Sequence, residues 1–539
     1  CFSKPSSCCD TRTTRARTNL NQIHTLRESP SLKLWQASIS FLNWTPPEER
    51  LRHAPHVVIV GGGFAGVHAC KALAKADVRI TLIDKRNFNL FQPLLYQVST
   101  GLVSRGDIAT PLRELVGKQH NVQVLLGEVT NVYPEGKQIV FNGKAYSYDH
   151  LVLATGSGST FFGHDEWRTF APPMKILEHA EEIRRRLLMA MEQAEQTPDP
   201  EARQFLQTVV IVGAGPSGCE MAGAVSELMR WALNNAFKQL DPNKTRIVLV
   251  DPGDRVLRAM PEMLSSAALK SLEADGIEFL PKGRVQTMRP GEVIVGTPDG
   301  DVRLQVATVI WTAGVRASSL GKKLAEATGC EVDRGGRVIV QHDFSIADHP
   351  EIRVAGDLSS YSHTSNGKPL PGMAAPAKQA GTFIGKDIAA IVADRPRPTF
   401  SYFDFGSMAV LDRASAVADL RGLRFADGIG WILWAFVHLV LIPDWENRIS
   451  LSIKWIFALL TQQRAAILLT GMPSQHMALD AVDAHFPMKA GEGVSIAEPD
   501  AALKAAMDYY SHQMTGHPHP QELMDTSVDP AADSAAAIR

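Results

Sequence analysis

Apolar residues in this chain cluster in short continuous runs separated by longer stretches of mixed polarity. Val57 to Val60 are four β-branched or branched residues in a row. Val78 to Ile83, Leu151 to Gly156, Thr208 to Val212, Arg246 to Val250 and Val309 to Val315 are similar, and Glu351 to Asp357, EIRVAGD, returns a strand to a Gly-Asp. Runs that short, apolar on both faces and ending in Gly or Asp, predict buried parallel strands. Helical patterns lie between them: residues 175 to 196, Glu220 to Leu240, and a stretch from about Ala374. A Pro-rich break at Thr197 to Pro200 separates the first helix from the next strand. Strands alternating with helices predict an α/β chain with Rossmann-like units.

The pattern changes after Pro396. Ile429 to Ile442 is apolar apart from His438, which reads as a packed histidine rather than a ligand. In Ile449 to Leu469, residues Ile449, Ile453, Ile456, Phe457 and Leu460 share one helical face, while Ser450, Lys454 and Thr461 fall on another. Two such helices, rich in Trp, suit the plane of a bilayer surface. A homodimer interface or an ordinary core are the other ways to cover them. No run of about 18 apolar residues exists to span a membrane unaided.

Composition adds little to this picture. The chain has 539 residues, room for roughly three to four domains. Its 45% hydrophobic and 21% charged content is ordinary for a globular protein, and a net charge of −2 gives no field to recruit nucleic acid. Residues 1–52 are Arg-, Ser- and Thr-rich at their start, as in an organelle targeting peptide or a disordered extension. The tail from 489 is Ala-, Asp-, Pro- and Ser-rich. Six cysteines form neither C-x-x-C pair nor metal-ligand cluster, so no metal site is expected.

Candidate chemistry sharpens the reading. Gly61, Gly63 and Gly66 follow the first strand in G-x-G-x-x-G spacing. They serve a tight turn, backbone approach to a pyrophosphate, and close helix packing. Asp84 ends the second strand, placed to accept from a ribose 2′-OH. Gly213, Gly215 and Gly218 repeat the motif, and Asp251 ends the strand that follows. Asp251 lies farther on than the usual ~20 residues, with the long helix in between to account for it. An acid at 251 with no Arg immediately after it favours NADH over NADPH, although Arg255 and Arg258 are near in sequence. Two such sites in one chain mean two nucleotides, FAD and NAD(P)H, between which a hydride can pass. Thr155 stands within LVLATG, Leu151 to Gly156, at the position where two-dinucleotide flavoproteins cross between domains. Asp357, after Gly356 in EIRVAGD, is placed to meet a flavin ribityl chain or to cap the next helix. With Cys70 and Cys219 each solitary, a thiol relay is not expected, and a lipophilic electron acceptor would explain the C-terminal helices.

At this point the chain, from about residue 55 to about 475, resembles the type II NADH:quinone oxidoreductases, single-subunit NADH dehydrogenases that do not pump protons. The segments VVIVGGGFAG, LIDKRNFNLFQPLLYQVSTG, LVLATGS, VVIVGAGPSGCEMAG, WTAGV, VAGD and QQRAAILLTG carry the likeness, in that order. The resemblance implies non-covalent FAD at Gly61, Gly63, Gly66, Asp84, Thr155, Gly356 and Asp357, and NADH at Gly213, Gly215, Gly218 and Asp251. It implies Glu220, just after the second glycine motif, and Gln379 as the catalytic positions. Gln379 closes Ala374-Ala-Pro-Ala-Lys-Gln379, where the family has Ala-Gln-x-Ala-x-Gln, and Ala375 departs from that pattern. The loop IPDWENR resembles cyanobacterial or plastid-lineage members, and the absence of an EF-hand insertion implies no calcium control.

The expected organisation follows from these parts. An extension at 1–52 precedes an FAD domain in two parts, 53–165 and 311–398, the second carrying the quinone-site helix. An NAD(P)H domain at 166–310 lies between the parts. A membrane-associated domain at 399–488 and a flexible tail at 489–539 follow. The expected protein is a peripheral membrane enzyme on a cytoplasmic, stromal or matrix face, docked through 429–469, that passes electrons from NADH through FAD to a membrane quinone. The alternatives are an NAD(P)H-dependent naphthoquinone reductase of quinone biosynthesis and a slow flavin redox sensor.

Overall fold

The computed structural model describes residues 49–234, 236–364, 367–461 and 468–469. The targeting and tail assignments, with Cys1, Cys8 and Cys9, lie outside the described residues.

Strand β1 (His56–Val60) runs into helix α1 (Phe64–Ala72), followed by β2 (Arg79–Asp84), helix α2 (Leu95–Ser99), β3 (Val122–Leu126) and β4 (His150–Leu153). These strands lie parallel in the order β3-β2-β1-β4. After helix α3 (Leu177–Gln196) the pattern repeats: β5 (Thr208–Val212), helix α4 (Pro216–Glu227), β6 (Arg246–Val250), β7 (Ile277–Leu280) and β8 (Thr308–Trp311) form a second parallel sheet ordered β7-β6-β5-β8. The chain then returns to the first sheet, with β10 (His349–Val354) beside β4 and β9 (Ser345–Ile346) antiparallel at the edge. The runs read as buried on both faces are so: Val57, Ile59, Ile80, Leu82, Leu151, Val210, Ile211 and Leu249 are all within 1% of full burial. Parallel sheets need that cover, because their crossovers put helices on both faces.

One expected helix is shorter than its pattern. Glu220 to Leu240 stops being α-helical at Glu227 and continues as a π turn over Leu228–Ala232. The reason is tertiary. The Glu195 carboxylate of α3 accepts from the backbone N–H groups of Lys238, Gln239 and Leu240, at 2.7 to 3.0 Å. Donors that a helix would use internally are thus drawn to another element. A loop, not a long helix, fills the extra distance to Asp251.

Helix α5 (Ala374–Val392) packs across α1, close enough that a side chain at Gly381 would enter the backbone of Ala65. Its far end is tied down by charge. Asp387, fully buried, accepts from the buried Arg353 at 2.8 Å and from Arg397 at 2.7 and 2.8 Å, and Arg397 also reaches Asp343 at 2.6 Å. Removing one partner of a buried pair leaves the other charge uncompensated. Asp387→Ala should therefore destabilise the protein by about 3–5 kcal/mol in urea unfolding. A loss below about 1 kcal/mol would show that Arg353 finds other partners.

The C-terminal region opens with a structure that the hydrophobic pattern did not reveal, an antiparallel sheet of β11 (Ser407–Val410), β12 (Ala416–Leu420) and β13 (Leu423–Phe425). Helices α6 (Asp427–Leu441) and α7 (Trp445–Thr461) follow, and residues 462–467 of the longer expected helix lie outside the described residues. Helix α6 lies on β12, where a Cβ at Gly430 would strike the Ala416 carbonyl. Helix α7 is amphipathic in an unusual sense. Its polar side faces the protein: Lys454 and Ser450 both donate to Asp107, at 2.5 to 2.9 Å, beside buried Leu451, Trp455 and Ala458. Burial pushes the Asp107 carboxyl up, but the Lys454 ammonium and Ser104 pull it net below its ordinary value, so it stays charged. Ile449, Ile453, Ile456, Phe457 and Leu460 all point outward, each more than half exposed. Ile429, Ile432, Phe436 and Val440 of α6 are exposed as well. Among the described residues no helix is long and apolar enough to cross a membrane.

Candidate active site

The two glycine loops are built alike, residue for residue. Gly61 and Gly213 both have φ +108°, a conformation that L side chains rarely adopt. The Gly61 N–H donates to the Ile83 carbonyl at 2.8 Å, and Gly213 to Val250 at 2.7 Å. A side chain at Gly66 would enter the carbonyl of Gly61, and one at Gly218 that of Gly213. The middle glycines differ. Gly63 and Gly215 cap α1 and α4 in ordinary extended backbone, and a Cβ at either meets nothing within 4 Å. Protein geometry does not demand glycine there, whereas a close ligand does. Open space over a helix N-terminus, the positive end of the helix dipole, fits a pyrophosphate.

The paired acids also match. Asp84 accepts from Gly62 N–H at 2.5 Å and Arg86 N–H at 2.7 Å. Asp251 accepts from Ala214 N–H at 2.8 Å and Gly253 N–H at 2.7 Å. Each carboxylate locks its own glycine loop and keeps lone pairs for a ribose hydroxyl. Asp251, Gly215, Leu257 and Arg258 line one crevice.

Around the first loop, the carboxyl ends of β1, β2, β4 and β10 converge, the position where ligands of open α/β sheets bind. They bring Gly61, Asp84, Thr155 and Gly356 to one edge of the sheet. Among the described residues the buried Thr155 hydroxyl has no hydrogen-bond partner, which fits a ligand group in reach. Asp357 does not cap α5, whose N-cap is Met373. Instead it accepts from Ser157 Oγ at 2.7 Å and pairs with Lys175 at 3.5 Å, holding its carboxylate beside the glycine loop's sheet. These residues fit a flavin dinucleotide.

Asn87 to Gly101 connects this edge to a second cavity. Asn89, 3% exposed, donates to the Gly62 carbonyl at 2.8 Å. A few residues on, Tyr96 and Gln97 line an open pocket with Glu220, Val410, Trp434 and Trp455. The Trp455 indole donates to Gln97 Oε1 at 2.9 Å, and Gln97 donates to the Tyr96 hydroxyl at 3.0 Å. The C-terminal helices thereby close over the second glycine helix. Glu220 lies half-buried in its lining, and burial pushes its carboxyl up to about 8, against the partial pull of the Val410 backbone. It holds its proton at neutral pH.

Gln379 is not among the residues lining that cavity. Its amide pairs with Phe403, accepting from the backbone N–H and donating to the carbonyl, both at 2.9 Å. His438 is packed as expected. It stacks on Trp434 at 4.4 Å with Nδ1 against the Trp434 carbonyl at 2.7 Å, and burial lowers its pKa to about 4. Cys70 and Cys219 are buried on separate helices, and desolvation pushes both thiols up, so neither offers a thiolate. Sequence reasoning missed Asn89, Ser157, Lys175 and Trp434. Each acts through a tertiary contact, and only the unusual amide density of the NFNLFQ stretch gave a hint.

Comparison with known proteins places this architecture. Residues 55–381 match the Pyridine nucleotide-disulphide oxidoreductase family. The chain is 40% identical to a type II NADH:quinone oxidoreductase of Mycobacterium tuberculosis, over 79% of this chain and 93% of that protein. It is 25% identical to an internal alternative NAD(P)H-ubiquinone oxidoreductase of Arabidopsis thaliana mitochondria, over 75% and 83% of the two chains. Its fold is shared by NDH2 from Plasmodium falciparum in complex with NADH, with TM-score 0.70 and 18% identity over 77% of this chain and all of that one. On that family match and that identity, the chain belongs to the pyridine nucleotide-disulphide oxidoreductases and, within them, to the type II NADH:quinone oxidoreductases.

Proposed function

We infer that this chain oxidises NADH and reduces a quinone, with FAD carrying electrons between them. The observation that carries this reading is the doubled glycine loop, one copy at each of two parallel sheets, in a chain whose described cysteines cannot relay electrons. Bound FAD would supply an acceptor for the hydride of NADH and a two-electron donor for quinone. Every other part belongs to the protein. The N-termini of α1 and α4 receive the two pyrophosphates at Gly63 and Gly215. Asp84 and Asp251 hold the loops in register and meet the riboses. Thr155, Gly356 and Asp357 orient the flavin, with Lys175 and Ser157 fixing Asp357.

Proton accounting gives Glu220 its role. NADH supplies one hydride, but a quinol needs two hydrogens, so one proton has to come from elsewhere. Glu220, with its carboxyl raised to about 8, holds one at neutral pH in a pocket that Trp434 and Trp455 line. Gln379 serves the quinone side by fixing the Phe403 segment through both halves of its amide. Steady-state NADH oxidation tests the reading: turnover should depend on added quinone, and negligible turnover with every quinone would favour a redox sensor.

The outward faces of α6 and α7 dock the enzyme on the bilayer that supplies quinone. What supports this is their inversion, with charge turned inward to Asp107 and large apolar residues turned out. Contiguous exposed apolar surface of this kind marks an interaction site. The double variant Ile453→Asp, Phe457→Asp should lose vesicle binding in a flotation assay at least about tenfold, since burying each charge at the interface costs well over 1 kcal/mol. Retained flotation would place the anchor elsewhere. Activity with a water-soluble quinone should persist.

A further inference from the structure

The nucleotide crevice at Asp251 contains a cation that NADH does not require. Arg258 lines that crevice, and its stem lies over Gly253 so closely that a Cβ there would stand 2.5 Å from Arg258 Cδ and 2.7 Å from its Nε. The same point is 2.8 Å from Asp251 Oδ1, so guanidinium and carboxylate flank one spot. Among the described residues the Arg258 guanidinium has no hydrogen-bond acceptor and no ion pair. Arg255, the other candidate, is already committed: its two terminal nitrogens donate to the carbonyls of Met260 and Arg258, each at 3.1 Å. Asp251 has spent part of its charge on the N–H groups of Ala214 and Gly253.

An exposed guanidinium with five free donors matches a phosphate monoester. The pyrophosphate common to both nicotinamides falls to the α4 N-terminus. The only further phosphate in this ligand class is the one on the adenosine 2′ position, the position that the strand-end acid addresses. We propose that Arg258 lets this enzyme use NADPH as well as NADH, by pairing with the 2′-phosphate beside Asp251. NADH remains the better substrate, because Asp251 repels that phosphate and accepts from the free hydroxyl. This rests on the reading that the second glycine loop holds the nicotinamide substrate.

The test compares flavin reduction of the FAD-loaded wild type and of Arg258→Ala with NADH and with NADPH. The wild type should oxidise both. Arg258→Ala should lower kcat/KM for NADPH roughly ten- to hundredfold more than it lowers that for NADH, mostly through KM. Arg258→Lys should recover part of the loss. Calorimetric binding of 2′,5′-ADP should weaken in Arg258→Ala while 5′-AMP does not. A wild type inert to NADPH, or equal losses for the two nicotinamides, would overturn the proposal. Failure of NADH itself would instead overturn the assignment of the crevice.

Discussion

Gly63→Val should yield folded protein that purifies without flavin, while Gly215→Val should purify yellow and fail to respond to NADH. The two substitutions are the same chemistry at equivalent positions, and they separate the two nucleotides. Neither strains the chain. Gly63 has φ −75°, ψ −166° and Gly215 φ −75°, ψ −175°, which any residue adopts, and a Cβ at either meets no protein atom within 4 Å. A β-carbon there enters open space, the space that a bound nucleotide would fill. Its methyl groups would stand where the helix N–H groups meet a pyrophosphate, and losing two charge-assisted bonds weakens binding at least about a hundredfold. Flavin content by absorbance and unfolding by circular dichroism check the first variant. Titration of flavin bleaching against NADH concentration checks the second. Gly66→Ala is the contrast, because its Cβ would enter the Gly61 carbonyl and disturb the fold itself. Flavin retained at wild-type level in Gly63→Val would remove the first loop from the site.

Glu220→Gln should slow re-oxidation by quinone about a hundredfold while NADH still bleaches the flavin at close to the wild-type rate. Glutamine keeps the shape and the neutral charge of the protonated acid but has no proton to give. The pH dependence carries the sign. Burial raises the Glu220 carboxyl to about 8, so it is protonated below that pH and loses its proton above it. In the wild type, re-oxidation by quinone should fall as pH rises through about 8, and Glu220→Gln should lack that step. Equal slowing of both half-reactions would assign Glu220 to nicotinamide placement instead.

How much of this was legible in the sequence depends on how local the cause is. The strands were readable because Val57 to Val60 and Thr208 to Val212 are buried on both faces, and such runs look the same wherever they occur. Glycine spacing and the strand-end acids were readable for the same reason. Asp84 and Asp251 each bond an amide of the loop beside them. The outward face of α7 followed from helical periodicity alone. What escaped depends on contacts between distant segments. Glu195 shortens the helix after Glu220 by binding Lys238, Gln239 and Leu240. The sheet at 407–425 is made of short strands split by a tight turn at Arg421 and Gly422, both with positive φ, too brief to leave a period-two signature. Ser157 and Lys175 reach Asp357 from far along the chain, and nothing local marks them. The pocket around Glu220 is assembled from Tyr96, Val410, Trp434 and Trp455, four segments that only the fold brings together.

The most direct test of electron flow from NADH through FAD to quinone is a double-mixing stopped-flow measurement on the FAD-loaded protein bound to vesicles without oxygen. NADH mixed first should bleach the flavin absorbance, and a quinone mixed second should restore it, one quinone consumed for each NADH. Bleaching without recovery by any quinone, or recovery only with a disulfide or oxygen, would contradict the account.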